Sequence, residues 1–161
     1  MNRIEPQQLA GCYDACGRAL TLYARQWLPC AAAEDVVQTA FLKLLDQGCA
    51  PRDAKAWLFR TVRNAAVNEL RKASRRRRHD LAIASGRAGW FEPDGADHLD
   101  AQAAQRALEL LPPAQRELVV MRIWGELTLA EMAGVLGVAV STVYAQYKAA
   151  LETLRQRMGK P

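Results

Sequence analysis

The chain has 161 residues, half of them apolar, which is enough for one domain or two small ones and too many apolar residues for wholesale disorder. Its net charge of +5 and pI of about 9.3 say little until the charge is located. Residues 52–80 hold ten Lys and Arg against three Asp and Glu, and the remainder is slightly acidic. That concentration points to an anionic partner, nucleic acid ahead of a membrane surface.

The N-terminus, MNRIEPQQLAGC, has no apolar core of the signal-peptide kind. The apolar run Met132–Tyr147 is shorter than the roughly 20 residues of a bilayer span, and polar residues interrupt it. A cytoplasmic protein with no membrane insertion is expected. A first helix is predicted from Pro6 to Leu28, stopped by Pro29. Within it Cys12 and Cys16 share a face. No second metal-ligating pair stands near them in sequence, so these thiols, with Cys30 and Cys49, are read as reduced and structural.

A second helix is predicted from about Ala32 to Gly48, with Glu34 and Asp35 in its first turn. A third has Asp53 as N-cap and runs past Lys72. On a helical wheel Trp57, Arg60, Asn64, Asn68, Arg71 and Arg75 fall on one side. Leu58, Phe59, Val62, Ala65, Ala66, Leu70 and Ala73 fall opposite, as a core face. Cations neutralise phosphate, amides bond base edges, and an indole offers a stacking surface for an unpaired base. Arg63, Lys72 and the run Arg75–Arg78 extend this basic track.

HDLAIASGRAGWFEPDGADHLD (79–100) holds glycines, a proline and acids without a sustained period, as a linker does. A helix is expected over Ala101–Leu110, broken by Pro112 and Pro113, and another over Ala114–Trp124, stopped by Gly125. In AEMAGVLGVAVSTVYAQYKAA (130–150), Ala133, Gly137 and Val143 have helix-turn-helix spacing. Small Ala133 lets the helices cross, Gly137 supplies a turn with positive φ, and Val143 packs the second helix back on the first. Met132, Leu136, Val140 and Tyr147 are expected to complete this core. The second helix would run to Met158.

Its exposed residues would be Ser141, Thr142, Tyr144, Gln146 and Lys148. Hydroxyls near a helix N-terminus meet phosphate, and Gln146 suits bidentate reading of adenine. The architecture is therefore all-α: a helical domain 1–80, a linker 81–100 and a helix-turn-helix domain 101–161. Almost no strand-like alternation is present. Two histidines in dissimilar contexts, no phosphate-binding glycine loop and no paired-carboxylate site argue against an enzyme. No catalytic residue, cofactor or metal site is expected.

Three ordered stretches resemble a known family. AEDVVQTAFLKLL (33–45), AWLFRTVRNAAVNELRK (56–72) and ALELLPPAQRELVVMRIWGELTLAEMAGVLGVAVSTV (107–143) are similar to motifs of the extracytoplasmic-function sigma factors of bacterial RNA polymerase, in the sigma-70 superfamily. The resemblance implies that Asp35, Gln38, Phe41 and Leu42 dock on the polymerase clamp helices. It implies that the helix bearing Trp57, Arg60, Arg63, Asn64, Asn68, Arg71, Lys72 and Arg75 opens the promoter at the −10 element. The second domain would read the −35 element as duplex. The implied partners are core RNA polymerase and promoter DNA, and an anti-sigma factor is a further partner the resemblance admits. Tyr144, Gln146 and Ala149 depart from the basic residues frequent in the family at those positions.

A competing reading is a helix-turn-helix regulator that binds duplex DNA without polymerase. It accounts for 114–158 and leaves the 33–45 and 56–72 stretches unused. A regulator shifts operator DNA unaided, whereas a sigma factor needs core polymerase.

Overall fold

The computed structural model describes residues 3–79, 103 and 106–158. They form six long helices and no strand: α1 (Pro6–Ala24), α2 (Cys30–Leu45), α3 (Ala54–His79), α4 (Pro113–Ile123), α5 (Leu129–Leu136) and α6 (Val140–Met158). Residues 106–109 add a short helical stretch. The predicted linker lies almost wholly outside the described residues, as does much of the Ala101–Leu110 helix. Contacts divide the chain into two compact units, one holding α1–α3 and the other α4–α6.

In the first unit α1, α2 and α3 each pack on the other two. Leu20, Tyr23 and Ala24 of α1 meet Ala33, Leu44, Leu58, Phe59 and Val62 in a fully buried core. Tyr23 sits at its centre, its ring 5.1 Å from Phe59 and 5.0 Å from Trp27. Burying each of these large side chains contributes about 1.5–3 kcal/mol.

The ends of α1 and α2 depart from the sequence reading. α1 stops at Ala24 rather than Leu28, and residues 25–28 turn so that Leu28 is buried. α2 then begins at Cys30 behind an extended Pro29 and ends at Leu45, so Glu34 and Asp35 lie beyond its first turn. Proline lacks the N–H a helix interior needs, and its fixed φ suits the position before or at a helix start. Asp53 does cap α3: its Oδ1 accepts the Ala56 N–H at 3.0 Å.

α3 has 26 residues and spans about 39 Å, longer than the helices it packs on. Its buried face holds from Leu58 to Ala66 and then fails. Leu70, expected in the core, is exposed, and Ala73 is only half-buried. The last turns persist because Glu69, Arg71, Lys72, Ala73 and the arginines are good helix formers. An exposed Lys72–Glu69 pair at 3.6 Å adds a few tenths of a kcal/mol.

In the second unit α4 is the buried helix, with Leu118, Val119, Val120 and Met121 in the core. Arg116 anchors the preceding segment. Its guanidinium donates to the carbonyls of Leu108 at 2.9 Å, Glu109 at 3.0 Å and Leu111 at 3.2 Å, satisfying acceptors that a helix end leaves open. α5 opens on a reciprocal cap. The Thr128 hydroxyl accepts from the Glu131 amide at 3.1 Å, and the Glu131 carboxylate accepts from the Thr128 amide at 3.3 Å. Gly137 closes α5 at φ 68°, and the bend to α6 is 108°. That is the crossing of a helix-turn-helix. Among the described residues no single helix is long and apolar enough to cross a membrane.

Candidate nucleic-acid and polymerase surfaces

α3 presents Arg60, Asn64, Asn68, Arg71 and Arg75 to solvent along one row, spaced three or four residues apart. Trp57 begins the row half-buried, so its ring is not spent wholly on the core. Arg63 and Lys72 flank the row. Arg63 is half-buried, and Lys72 is exposed and paired with Glu69. Arg76 is exposed beside Arg75, and the side chains of Arg77 and Arg78 lie outside the described residues. The helix thus combines an apolar inner face over one half with a cationic and amide outer face from Arg60 to Arg76.

On α2, Asp35, Gln38 and Leu42 are exposed on one side, with Leu42 62% exposed. Leu45 joins them one turn on, also exposed. Sequence reasoning missed Leu45, although its spacing from Leu42 and Gln38 repeats the pattern. Phe41 is a correction. It is buried, its ring 5.1 Å from Tyr13 in an edge-on contact. With Pro6, Leu9, Ala10, Tyr13 and Asp14 it lines a groove of about 300 Å³ between α1 and α2. Phe41 positions α2 from within and does not share the exposed Asp35–Leu42 face. A 100° advance per residue separates the two directions.

On α6, Ser141, Thr142, Tyr144, Gln146 and Lys148 are all exposed. Thr142 and Gln146 form one row, Tyr144 and Lys148 another. Ala139 caps the helix: its carbonyl accepts from the Thr142 and Val143 amides at 3.1 and 3.2 Å. The Val140 and Ser141 amides precede the first intrahelical bonds and are available to an anion. Val143 is fully buried, as its place in the motif requires. Val140 is a second correction: it is 46% exposed, and Leu136 and Tyr147 are only half-buried. Leu127, Val135 and Ala150 fill the core instead.

The cysteines are free thiols, and the described residues hold no cluster of three or more metal-ligating side chains. Cys16 donates to the Cys12 carbonyl at 2.9 Å. Burial, aided by neighbouring Cys12, pushes its pKa up to about 11. Burial thus favours the neutral form of this thiol.

Comparisons with known proteins cover both units. Residues 12–76 match the family model for sigma-70 region 2, and residues 101–154 match that for sigma-70 region 4. The ECF RNA polymerase sigma factor RpoE of Cereibacter sphaeroides is 33% identical over 132 residues, covering 78% of this chain and 70% of that protein. The ECF RNA polymerase sigma factor SigL of Mycobacterium tuberculosis is 32% identical over 149 residues, covering 89% and 84%. A solved structure of the sigma factor RpoE with the anti-sigma factor NepR, from Bartonella quintana, superposes with a TM-score of 0.75 at 24% identity. It covers 95% of both chains and shows the shared fold.

Proposed function

The chain belongs to the extracytoplasmic-function sigma factors of bacterial RNA polymerase, and from that premise we propose which residues carry each task. It binds core polymerase and directs promoter-specific initiation by recognising −10 and −35 elements and aiding melting. In our reading residues 1–80 serve polymerase and the −10 element, and residues 101–161 serve the −35 element.

The observation that carries the assignment is the outer row of α3. A helix that buries Leu58, Phe59, Val62 and Ala66 yet leaves two amides and three arginines in line on its other side is built for a strand laid along it. We assign Arg60, Arg71 and Arg75 to phosphates, with Arg63 and Lys72 at the edges of the track. Asn64 and Asn68 bond base edges of the separated strand. Trp57 stacks on an unpaired base. Asp35, Gln38 and Leu42 form the polymerase contact, together with Leu45. Ser141, Thr142, Tyr144, Gln146 and Lys148 face the major groove at −35.

We place the protein in the cytoplasm, beside polymerase and DNA. The solved relative with its anti-sigma factor supports an anti-sigma partner for this chain as well. Permanganate footprinting of the holoenzyme on a promoter tests the α3 assignment. Trp57→Ala and Asn64→Ala should reduce thymine reactivity at −10 while initial duplex binding persists, since one stacked base is worth roughly 1–3 kcal/mol. Unchanged reactivity in both variants removes the assignment.

A further inference from the structure

α1 carries two thiols that polymerase and DNA binding leave unused. Cys12 and Cys16 stand one turn apart on the same face of the helix, Cys12 half-buried and Cys16 buried. The Cys16 thiol turns back along the helix and donates to the Cys12 carbonyl at 2.9 Å. The spacing alone gives the pair a shared face. Packing adds a neighbour from another helix: the Lys55 ammonium, in the first turn of α3, favours charge on Cys16, while Cys12 opposes it. The other two thiols are not a second pair. Cys30 donates to Glu34 at the start of α2, Cys49 follows its far end, and the helix between them is about 24 Å long.

Residues at this spacing on a helix have Cβ atoms about 5–6 Å apart, whereas a disulfide needs about 3.5–4.5 Å. The two sulfurs are thus set too wide to bond directly and at the width that one intervening atom spans. Soft thiolate ligands select Cu(I), zinc or iron–sulfur clusters. Zinc and the clusters take four ligands. Among the described residues no three Cys, His, Asp or Glu side chains come together to supply them. Cu(I) is the ion of this group that two thiolates in line suffice to hold.

We propose that Cys12 and Cys16 form a two-coordinate site for Cu(I), with the Lys55 ammonium beside it. Two S–H bonds break, two Cu–S bonds form, and both protons leave to solvent. No electron is transferred. The loaded site carries one net negative charge, which Lys55 offsets. The Cys12 carbonyl gives up the thiol but keeps its helical bond from the Cys16 amide, so no buried acceptor is stranded. The ion enters past half-buried Cys12, and Cys16 closes the inner side.

The test uses the full chain, reduced and under nitrogen, titrated with Cu(I) in competition with the coloured chelator bicinchoninate. The wild type and the double variant Cys30→Ser, Cys49→Ser should each withdraw one ion per chain, and X-ray absorption should count two sulfur neighbours. Cys12→Ser and Cys16→Ser should each weaken binding by more than about 100-fold, beyond what losing an outer partner costs, and Lys55→Gln, which removes such a partner, by about tenfold. Helical content is measured for every variant, and Cys12→Ser, at a half-buried position, decides the matter if Cys16→Ser unfolds. Zn(II) should not compete, because the pair offers half the ligands that it takes. Undiminished Cu(I) binding by Cys12→Ser overturns the proposal. So does loss of the ion in the Cys30→Ser, Cys49→Ser variant, and so does a Cys12–Cys16 disulfide formed readily on mild oxidation, which would show the sulfurs too close for a bridging ion.

Discussion

The Gly137 amide donates to the Ala133 carbonyl at 2.8 Å, with Gly137 held at φ 68°. This single bond joins the two small residues of the helix-turn-helix and sets where α6 starts. No atom lies within 4 Å of the place a Gly137 side chain would occupy, so the position demands glycine for its backbone and not for space. Gly137→Ala should therefore cost roughly 1–2 kcal/mol, the penalty of a left-handed backbone for an L-residue. Gly134 is the internal control. It lies inside α5 with equally open surroundings, and Gly134→Ala should stabilise by about 0.4–1 kcal/mol. Urea unfolding of both variants measures the pair, and equal shifts in one direction would refute the backbone account.

Exposure separates two kinds of residue on α2. Leu42→Glu and Asp35→Arg should weaken binding to core polymerase, each by at least about 1 kcal/mol if they are anchors, with folding unchanged. Phe41→Ala should instead lower stability by about 3–5 kcal/mol, because it empties a buried site against Tyr13. Core-polymerase titration alongside thermal unfolding distinguishes them. A Phe41 variant that folds normally but loses polymerase would restore it to the docking face.

Electrostatic attraction should be shared unequally. α3 with its arginine run holds nine of the 22 Lys and Arg against one acid, Glu69, whereas the exposed first turns of α6 hold one cation, Lys148. Arg75→Ala with Arg76→Ala should reduce the salt slope of holoenzyme–promoter binding by nearly one unit for each phosphate left without its cation, on all promoters alike. Gln146→Ala should cost roughly 1–3 kcal/mol on the preferred −35 sequence and little elsewhere. A sequence-dependent loss from the arginine pair would contradict this division.

Much of this is legible in the residues because the signals are local. Asp53 announces its helix through an oxygen three residues from the amide it accepts. Gly137 announces its turn through the one conformation that glycine adopts freely. What is not legible depends on partners distant in sequence. Phe41 looks like a docking residue until Tyr13 of another helix covers it. Val140 and Leu70 read as core because apolar periodicity does not say where a neighbouring helix ends. The start of α2 is hard to place because Pro29 reads as a helix stop, whereas α1 has already ended at Ala24 and Pro29, whose missing N–H costs nothing at a helix start, leads into α2. The Thr128–Glu131 cap carries a readable S/T-x-x-E signature that the helix-turn-helix spacing overshadows.

The central claim is that this chain selects promoters as a subunit of polymerase and does not bind duplex DNA as a free regulator. Run-off transcription from a randomised promoter library, with core polymerase and the chain added separately and together, tests it most directly. Defined start sites should appear only when both are present, downstream of a shared pair of elements at −35 and −10. If the chain alone retains the same sequences from the duplex library, and adding it to core polymerase starts no transcription, the claim is wrong.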